Sequence, residues 1–221
     1  VLVRHFSYIE LNIIKSIQRY EIMKFINEKI ITLEDKKKFL PNYTEYFIRF
    51  NQTAVFIATS ILVDGAKHRG KRIEYWIKVM DEAKKFRNFL LIYEIDAALA
   101  SFPISRLENT WKRIGKKYIN ILNHLHEMTA PISSAIVMYK KLVKQNPEKT
   151  IPYIGPFLSE LKYIDEVKKI KTTLPNGHDA YNIRFQRSYA NILETIFLDW
   201  GSKIRFQIDM NLLQKCKDLD G

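Results

Sequence analysis

Residues 73–99 have the sequence IEYWIKVMDEAKKFRNFLLIYEIDAAL. Their apolar side chains recur at intervals of three and four residues: Ile73, Trp76, Ile77, Met80, Ala83, Ile92, Ile95 and Leu99. This spacing lays the apolar side chains along one side of a helix, with lysine and glutamate opposite. The stretch therefore predicts two consecutive amphipathic helices.

The same helical period continues on both sides of this stretch. It includes Phe47, Phe50, Ala54, Ile57 and Ile61 before it, and Tyr118, Leu122, Leu125, Met128, Phe185, Tyr189, Ile192, Ile196 and Trp200 after it. Only 7 Gly and 7 Pro occur in 221 residues, which disfavours turn-rich sandwiches and barrels. We predict an all-α fold in which residues 1–221 form a single multi-helix domain.

Composition narrows the class of protein. A hydrophobic fraction of 47% is too high for a disordered chain, and the longest apolar runs are shorter than the ~20 residues that a membrane-spanning helix needs. The single cysteine, Cys216, cannot form an internal disulfide, which favours a reducing compartment. Because the chain begins at Val1 rather than Met, we expect it to be part of a longer protein. We expect a soluble, cytoplasmic monomer.

The charge balance is strongly basic. The chain has 36 Lys and Arg against 24 Asp and Glu, a net charge of +12. Such an excess suits nucleic acid, an anionic membrane surface or an acidic protein. However, the basic residues occur in short clusters beside apolar helix positions, as on an ordinary solvated surface. They form no long basic arm or tail.

No motif for covalent chemistry emerges from the spacing of reactive residues. Residues 65–71, GAKHRGK, fit a phosphate-binding loop, but Arg72 stands where Ser or Thr would hold Mg²⁺. The chain also lacks the strand–loop–helix setting of that loop, so a basic connection between helices is the better interpretation. His124 and His126 are two residues apart and would point to different sides of a helix. We therefore expect no metal site, no cofactor and no covalent catalysis.

The helix predicted from Ile154 to about Glu166 has two faces. Its buried stripe is formed by Ile154, Phe157, Leu158 and Leu161. A second stripe, at i, i+3 and i+7, is formed by Ser159, Lys162 and Glu166. That stripe is either a solvent face or a contact surface. A basic loop closing at residues 174–177 (LPNG) then leads to a second long helix near Ala180, so the two helices form a hairpin over about residues 154–200.

Four groups of short segments follow one another along the chain. They are residues 2–7 (LVRHFS) with Glu10; 50–51 (FN) with 56–57 (FI) and 61–62 (IL); 86–89 (FRNF) with Ile95, Leu99, 103–104 (PI), 106–107 (RL) and 110–111 (TW); and 152–155 (PYIG) with 157–158 (FL), Leu161 and 164–166 (IDE). In this order and spacing, the chain resembles the catalytic domain of Ras-family guanine-nucleotide exchange factors, the domain type found in Son-of-sevenless. The resemblance covers nearly the whole chain.

The resemblance implies a function and a set of site residues. It implies an all-helical domain with a protruding helical hairpin, whose first helix wedges open the nucleotide site of a Ras-family small GTPase. It implies an exchange catalyst that makes and breaks no covalent bond. By position, the resemblance assigns catalytic roles to Ser159, Lys162 and Glu166. It assigns GTPase contacts to Tyr153, Asn51, Arg106 and Asp165.

Lys162 departs from the pattern of the family, which usually has Leu or Thr at that position. Its ammonium could replace the charge of the expelled Mg²⁺, or it could make the wedge slow. Two alternatives to an exchange factor therefore stay open: a scaffold of the same fold that binds a GTPase without catalysing exchange, and a basic helical nucleic-acid-binding domain. We expect the GTPase to be the partner rather than nucleic acid. The positive charge adds a possible peripheral contact with an anionic membrane, to which the domain would be recruited.

Overall fold

The computed structural model describes residues 1–27, 32–167 and 171–218. Helices dominate this part of the chain, so the all-α prediction is confirmed. In chain order the helices are α1 (Leu2–Ser16), α2 (Arg19–Asn27), α3 (Leu33–Phe39), α4 (Pro41–Leu62), α5 (Arg69–Lys85), α6 (Phe89–Ala100), α7 (Phe102–Ser105), α8 (Glu108–Trp111), α9 (Lys116–Thr129), α10 (Ser133–Lys144), α11 (Gly155–Val167), α12 (Ile183–Ile196) and α13 (Met210–Lys217). None of the described helices is long and apolar enough to cross a bilayer.

A short β-hairpin replaces the loop predicted between α11 and α12. Strands β1 (Lys171–Thr173) and β2 (Asp179–Tyr181) pair antiparallel. The turn between them is closed by a hydrogen bond from the Leu174 N–H to the His178 carbonyl at 2.8 Å, and Gly177 supplies the left-handed backbone with φ +80°. Because the strand takes Ala180, α12 begins only at Ile183, later than the sequence predicted.

The helices group into two compact units. The first contains α1, most of α4, α5 to α10 and α13. The second contains α2, α3, the start of α4, α11, the β-hairpin and α12. That residues 1–221 act as one domain remains a prediction.

Helix α6 is the centre of the first unit. It packs against α5, α7 and α9. Most of its side chains are buried: Phe89, Leu90, Leu91, Ile92, Glu94, Ile95, Ala98 and Leu99. The α5 stripe predicted from the sequence is buried as well, from Ile73 to Ala83. An apolar helix that is buried on nearly every side is stable only when its neighbours cover it, so α5 and α6 organise this unit.

The link between α5 and α6 is held by one asparagine. Arg87 adopts a left-handed backbone with φ 57°, which turns the chain sharply. The Asn88 side-chain oxygen then accepts from the Leu91 N–H at 3.0 Å and caps α6. The Asn88 amide donates to Ser7 Oγ at 2.8 Å and to a carboxylate oxygen of Glu10, both on α1. One side chain thus joins the start of α6 to α1.

Two carboxyl groups are buried beside this junction. Glu10 of α1 and Glu94 of α6 are both buried and face each other, with Arg49 of α4 nearby. Burial raises the pKa of Glu10 to about 7, although the hydrogen bond from Asn88 opposes the shift. Burial, and then the negative charge of Glu10, raise the pKa of Glu94 well above its usual range. Two neighbouring buried carboxyl groups disfavour double ionisation, so the structure favours a protonated Glu94 beside Glu10.

The loop that resembles a phosphate-binding motif is a connection between two helices. The Arg69 side chain donates to the backbone carbonyl oxygens of Asp64 at 3.0 Å and Leu62 at 3.1 Å. Arg72, the residue that replaces Ser or Thr in the motif, pairs with the Asp64 carboxylate at 2.8 Å. The basic side chains therefore satisfy carbonyl groups at the end of α4 and an acid in the loop, as the sequence interpretation expected.

Replacing Glu94 by Gln is expected to stabilise the protein at neutral pH and to flatten its pH dependence. Burial, and then the negative charge of Glu10, raise the pKa of Glu94 well above 4.5, so the folded state binds more protons than the unfolded state in the interval above that value. The free energy of unfolding therefore falls as pH rises through it. A Gln amide is neutral at every pH and can donate to the Glu10 carboxylate. We expect a gain of about 1–3 kcal/mol near pH ~8, measured by urea unfolding across a pH series.

Glu108→Gln is the matched control, because its side chain is 82% exposed. That variant should keep the pH dependence of the wild-type protein. A Glu94→Gln protein whose unfolding free energy fell with pH as steeply as that of the wild-type protein would show that Glu94 does not contribute to the pH dependence.

Candidate functional site

Helix α11 is fixed by its apolar face. The predicted buried stripe is confirmed, because Ile154, Phe157, Leu158 and Leu161 are all buried. The helix begins at Gly155, where the ring of the preceding Tyr153 lies so close that a Cβ atom would collide with it. The tyrosine ring therefore packs over the first turn of α11, and glycine leaves the space for it.

The predicted helix pair is present in the second unit. Helices α11 and α12 pack against each other, and α12 contributes buried Ile192, Thr195 and Ile196. Asp165 lies on the α12 side of α11, since its negative charge adds to burial in raising the pKa of Tyr189 on α12. Its assigned contact with a GTPase stays a prediction. That the pair protrudes, as expected for the hairpin, also stays a prediction.

The outward face of α11 is formed by Ser159, Tyr163 and Glu166, all of which are exposed. Successive residues turn by about 100° around a helix, so positions i, i+4 and i+7 lie within a narrow arc. Tyr163 is 49% exposed and adds an aromatic ring to two polar groups. Sequence reasoning missed Tyr163, because it followed the i, i+3, i+7 series through Lys162 instead.

Lys162 points to α2 rather than along this outward face. Its side chain is partly buried, and its Nζ lies 4.2 Å from the centroid of the Phe25 ring. Phe25 in turn packs on Tyr43, with centroids 4.4 Å apart. An ammonium over an aromatic face is attracted by the ring quadrupole. The predicted stripe therefore divides: Ser159 and Glu166 are exposed, whereas Lys162 contacts an aromatic pair.

Two predicted contact residues lie in the first unit. Asn51 is exposed on α4. Arg106 is exposed directly after α7, and its guanidinium carbon lies 5.2 Å from the Phe102 ring centroid. Phe102 is 74% exposed, a large apolar side chain that sequence reasoning missed. Behind it, Trp111 Nε1 donates to the Ile104 carbonyl oxygen at 2.9 Å, so the segment is anchored to the core while Arg106 faces outward.

The fold and the site define a class of mainly helical protein. Two of its helices, α11 and α12, pack against each other, and α11 has an exposed face formed by Ser159, Tyr163 and Glu166. The chain belongs to the RasGEF domain family, whose model matches residues 1–187. The match includes all of α11 and the start of α12. The family that the sequence segments predicted is therefore confirmed.

The curated proteins that this chain resembles are themselves guanine nucleotide exchange factors. Ras guanine nucleotide exchange factor P of Dictyostelium discoideum is 29% identical over 183 residues, covering 82% of this chain and 12% of that protein. Ras guanine nucleotide exchange factor M of the same organism is 26% identical over 203 residues, covering 90% of this chain and 20% of that protein. Guanine nucleotide exchange factor SDC25 of Saccharomyces cerevisiae is 26% identical over 152 residues, covering 68% of this chain and 12% of that protein. The chain thus spans a fifth or less of the length of these curated relatives.

The contact between Lys162 and Phe25 is expected to stabilise the second unit. We expect the variants Phe25→Leu and Lys162→Met, combined in a double-mutant cycle, to show a coupling of about 0.5–2 kcal/mol in urea unfolding. The cycle subtracts the change in unfolding free energy that Phe25→Leu causes by itself through the loss of the Phe25–Tyr43 contact. Phe25→Leu combined with Lys141→Met, a lysine on α10, is the control pair and should be additive. Additivity in both cycles would show that the ammonium gains nothing from the ring.

Proposed function

We propose that this chain accelerates the release of GDP from a Ras-family small GTPase, with α11 as the helix that enters beside the nucleotide site. One observation carries the proposal. The exposed face of Ser159, Tyr163 and Glu166 belongs to a helix whose opposite face is fully packed, within a chain of the RasGEF family. A helix held in this way can displace a partner's loop without deforming itself.

The proposed reaction is an exchange of binding partners. No covalent bond forms or breaks. A nucleotide held at about picomolar affinity is worth about 16 kcal/mol, so the exchange factor must stabilise the empty GTPase by a comparable amount. This requires an extensive interface, on the order of 2,000 Å² or more. Because the coupling is reciprocal, returning nucleotide expels the exchange factor.

The roles of individual side chains follow from their position and chemistry. The Glu166 carboxylate can compete for groups that hold the nucleotide phosphates and Mg²⁺, and Ser159 can hydrogen-bond to the displaced loop. Tyr153 covers the first turn of α11 and is also proposed to contact the GTPase, as the sequence predicted. Asn51 and Arg106 are proposed as GTPase contacts on the first unit, with Phe102 supplying an apolar surface under the Arg106 guanidinium. Asp165 is proposed to act on the GTPase from the α12 side.

The direct test is the release of fluorescent GDP from a panel of Ras-family GTPases, in excess GTP, with and without this protein. We expect at least a tenfold acceleration for one member or a few, which would establish exchange and identify the substrate. No acceleration and no complex with any nucleotide-free GTPase would overturn the proposal.

Glu166→Ala is expected to slow exchange by at least tenfold while leaving the unfolding free energy within about 0.5 kcal/mol of wild type, because the side chain is exposed. The measurement is the rate of fluorescent GDP release together with urea unfolding. Glu45→Ala, which removes another exposed carboxylate, is the control and should exchange at the wild-type rate. Wild-type exchange in Glu166→Ala would remove Glu166 from the mechanism.

A scaffold that binds a GTPase without catalysing exchange is the second candidate. It is favoured by Lys162, whose ammonium sits on Phe25 where the family usually has an uncharged side chain. In the exchange factor proposed above, by contrast, Lys162 keeps its predicted catalytic role: its ammonium leaves Phe25 and replaces the charge of the expelled Mg²⁺. A scaffold would form a stable complex with a nucleotide-free GTPase and leave GDP release unchanged. Lys162→Leu would then gain exchange activity, whereas an active wild-type protein excludes the scaffold.

A further inference from the structure

Helix α10 has an outward face that is unusually apolar. Its inner face is buried through Ala135, Tyr139 and Val143. On the other side, Val137 is 66% exposed and Met138 is 64% exposed. Ile132, at the N-cap position, is exposed as well. Single exposed apolar side chains are common, but Val137 and Met138 are adjacent, and an adjacent exposed pair indicates a contact surface.

The same face is basic and contains no acid. Lys141 and Lys144 are exposed and follow Val137 and Met138 at helical spacings of three, four, six and seven residues. Residues 128–147 include three lysines and no aspartate or glutamate. Within the described part of the chain, neither Lys141 nor Lys144 has a salt-bridge partner. These cations are therefore available to an external anion.

We propose that this face of α10, defined by Val137, Met138, Lys141 and Lys144, docks onto an anionic lipid bilayer. Apolar side chains at the centre can enter the boundary between headgroups and acyl chains, while the lysines contact anionic headgroups. A bilayer surface is fluid and needs no matching pocket, which suits the convex face of a single helix. A nucleic-acid backbone would satisfy the lysines but leave the valine and methionine against charged phosphates. The proposal stands apart from the exchange activity.

The electrostatic part is tested by sedimentation with lipid vesicles. We expect the wild-type protein to bind phosphatidylcholine vesicles that contain about 30% phosphatidylserine, and to bind pure phosphatidylcholine far more weakly. The double variant Lys141→Glu, Lys144→Glu should lose at least tenfold in affinity. The matched control is Lys116→Glu, Lys117→Glu on α9, which changes the net charge equally and should lose much less. Equal losses would show that binding follows net charge, and would overturn the assignment to α10.

The apolar part is tested by substitution and by a fluorescent probe. Val137→Ser combined with Met138→Gln should weaken vesicle binding several-fold at unchanged charge. A polarity-sensitive dye attached to Met138→Cys should shift to the blue on anionic vesicles, whereas the same dye on Asn123→Cys of α9 should not. Cys216 is buried, so the dye reacts at the introduced thiol. An unshifted dye at position 138, in a protein that sediments with the vesicles, would overturn the proposal.

A final measurement separates a lipid surface from a GTPase contact. The α10 variants should release GDP from a soluble, lipid-free GTPase at the wild-type rate, and should lose only the extra rate gained when GTPase and protein share an anionic vesicle. Slower exchange in solution would assign this face to the GTPase instead and overturn the proposal. If the wild-type protein shows no exchange at all, the proposed function fails, and the vesicle measurements still decide the role of α10.

Discussion

The hydrogen bonds of Asn88 are the constraint on which the first unit depends. Helix α6 is almost wholly apolar and buried, so its first backbone N–H groups must find partners inside the protein. Asn88 caps α6 with its oxygen and anchors α1 with its amide. The backbone beside it pairs with the segment before α11, through the Phe89 N–H and the Ile151 carbonyl oxygen at 2.9 Å. A side chain without both a donor and an acceptor could not cap α6 and also bond to α1.

The buried acids next to Asn88 follow from the same constraint. Glu10 reaches the Asn88 amide from α1, and this brings it opposite Glu94 on α6. Arg49 lies close enough to lower both pKa values partly, while its guanidinium also donates to the carbonyl oxygens of Cys216 and Lys217 at the end of α13. Four helices therefore meet around charged groups that water does not reach. A buried charged group that loses its partner destabilises the folded state strongly. The cluster therefore favours one arrangement of these four helices.

The proposed function depends on the contrast between the two faces of α11. The inner face is packed, and the Tyr153 ring covers the first turn. The outer face is left with two polar groups and one aromatic ring, while Lys162 is turned aside by Phe25. A rigid helix with a small set of outward side chains suits a partner whose loops must move. On α10, exposed apolar and basic side chains suit a fluid surface such as the proposed anionic bilayer.

The helical class, the family and the buried stripes of α5, α6 and α11 were all predictable from the amino-acid sequence. The helical class and the stripes follow from local spacing, because a helix places residues three and four apart on one face. The family follows from the resemblance of short segments in their order along the chain. Spacing also marked Ser159 and Glu166 as an outward pair. It could not show that Lys162 turns to Phe25, that Glu10 meets Glu94, or that residues 171–181 pair as strands. Glu10 and Glu94 are far apart along the chain, as are Phe25 and Lys162, so only the packing of whole helices brings each pair together. The packing of whole helices therefore raises the pKa values of the buried acids and sets the composition of the candidate site.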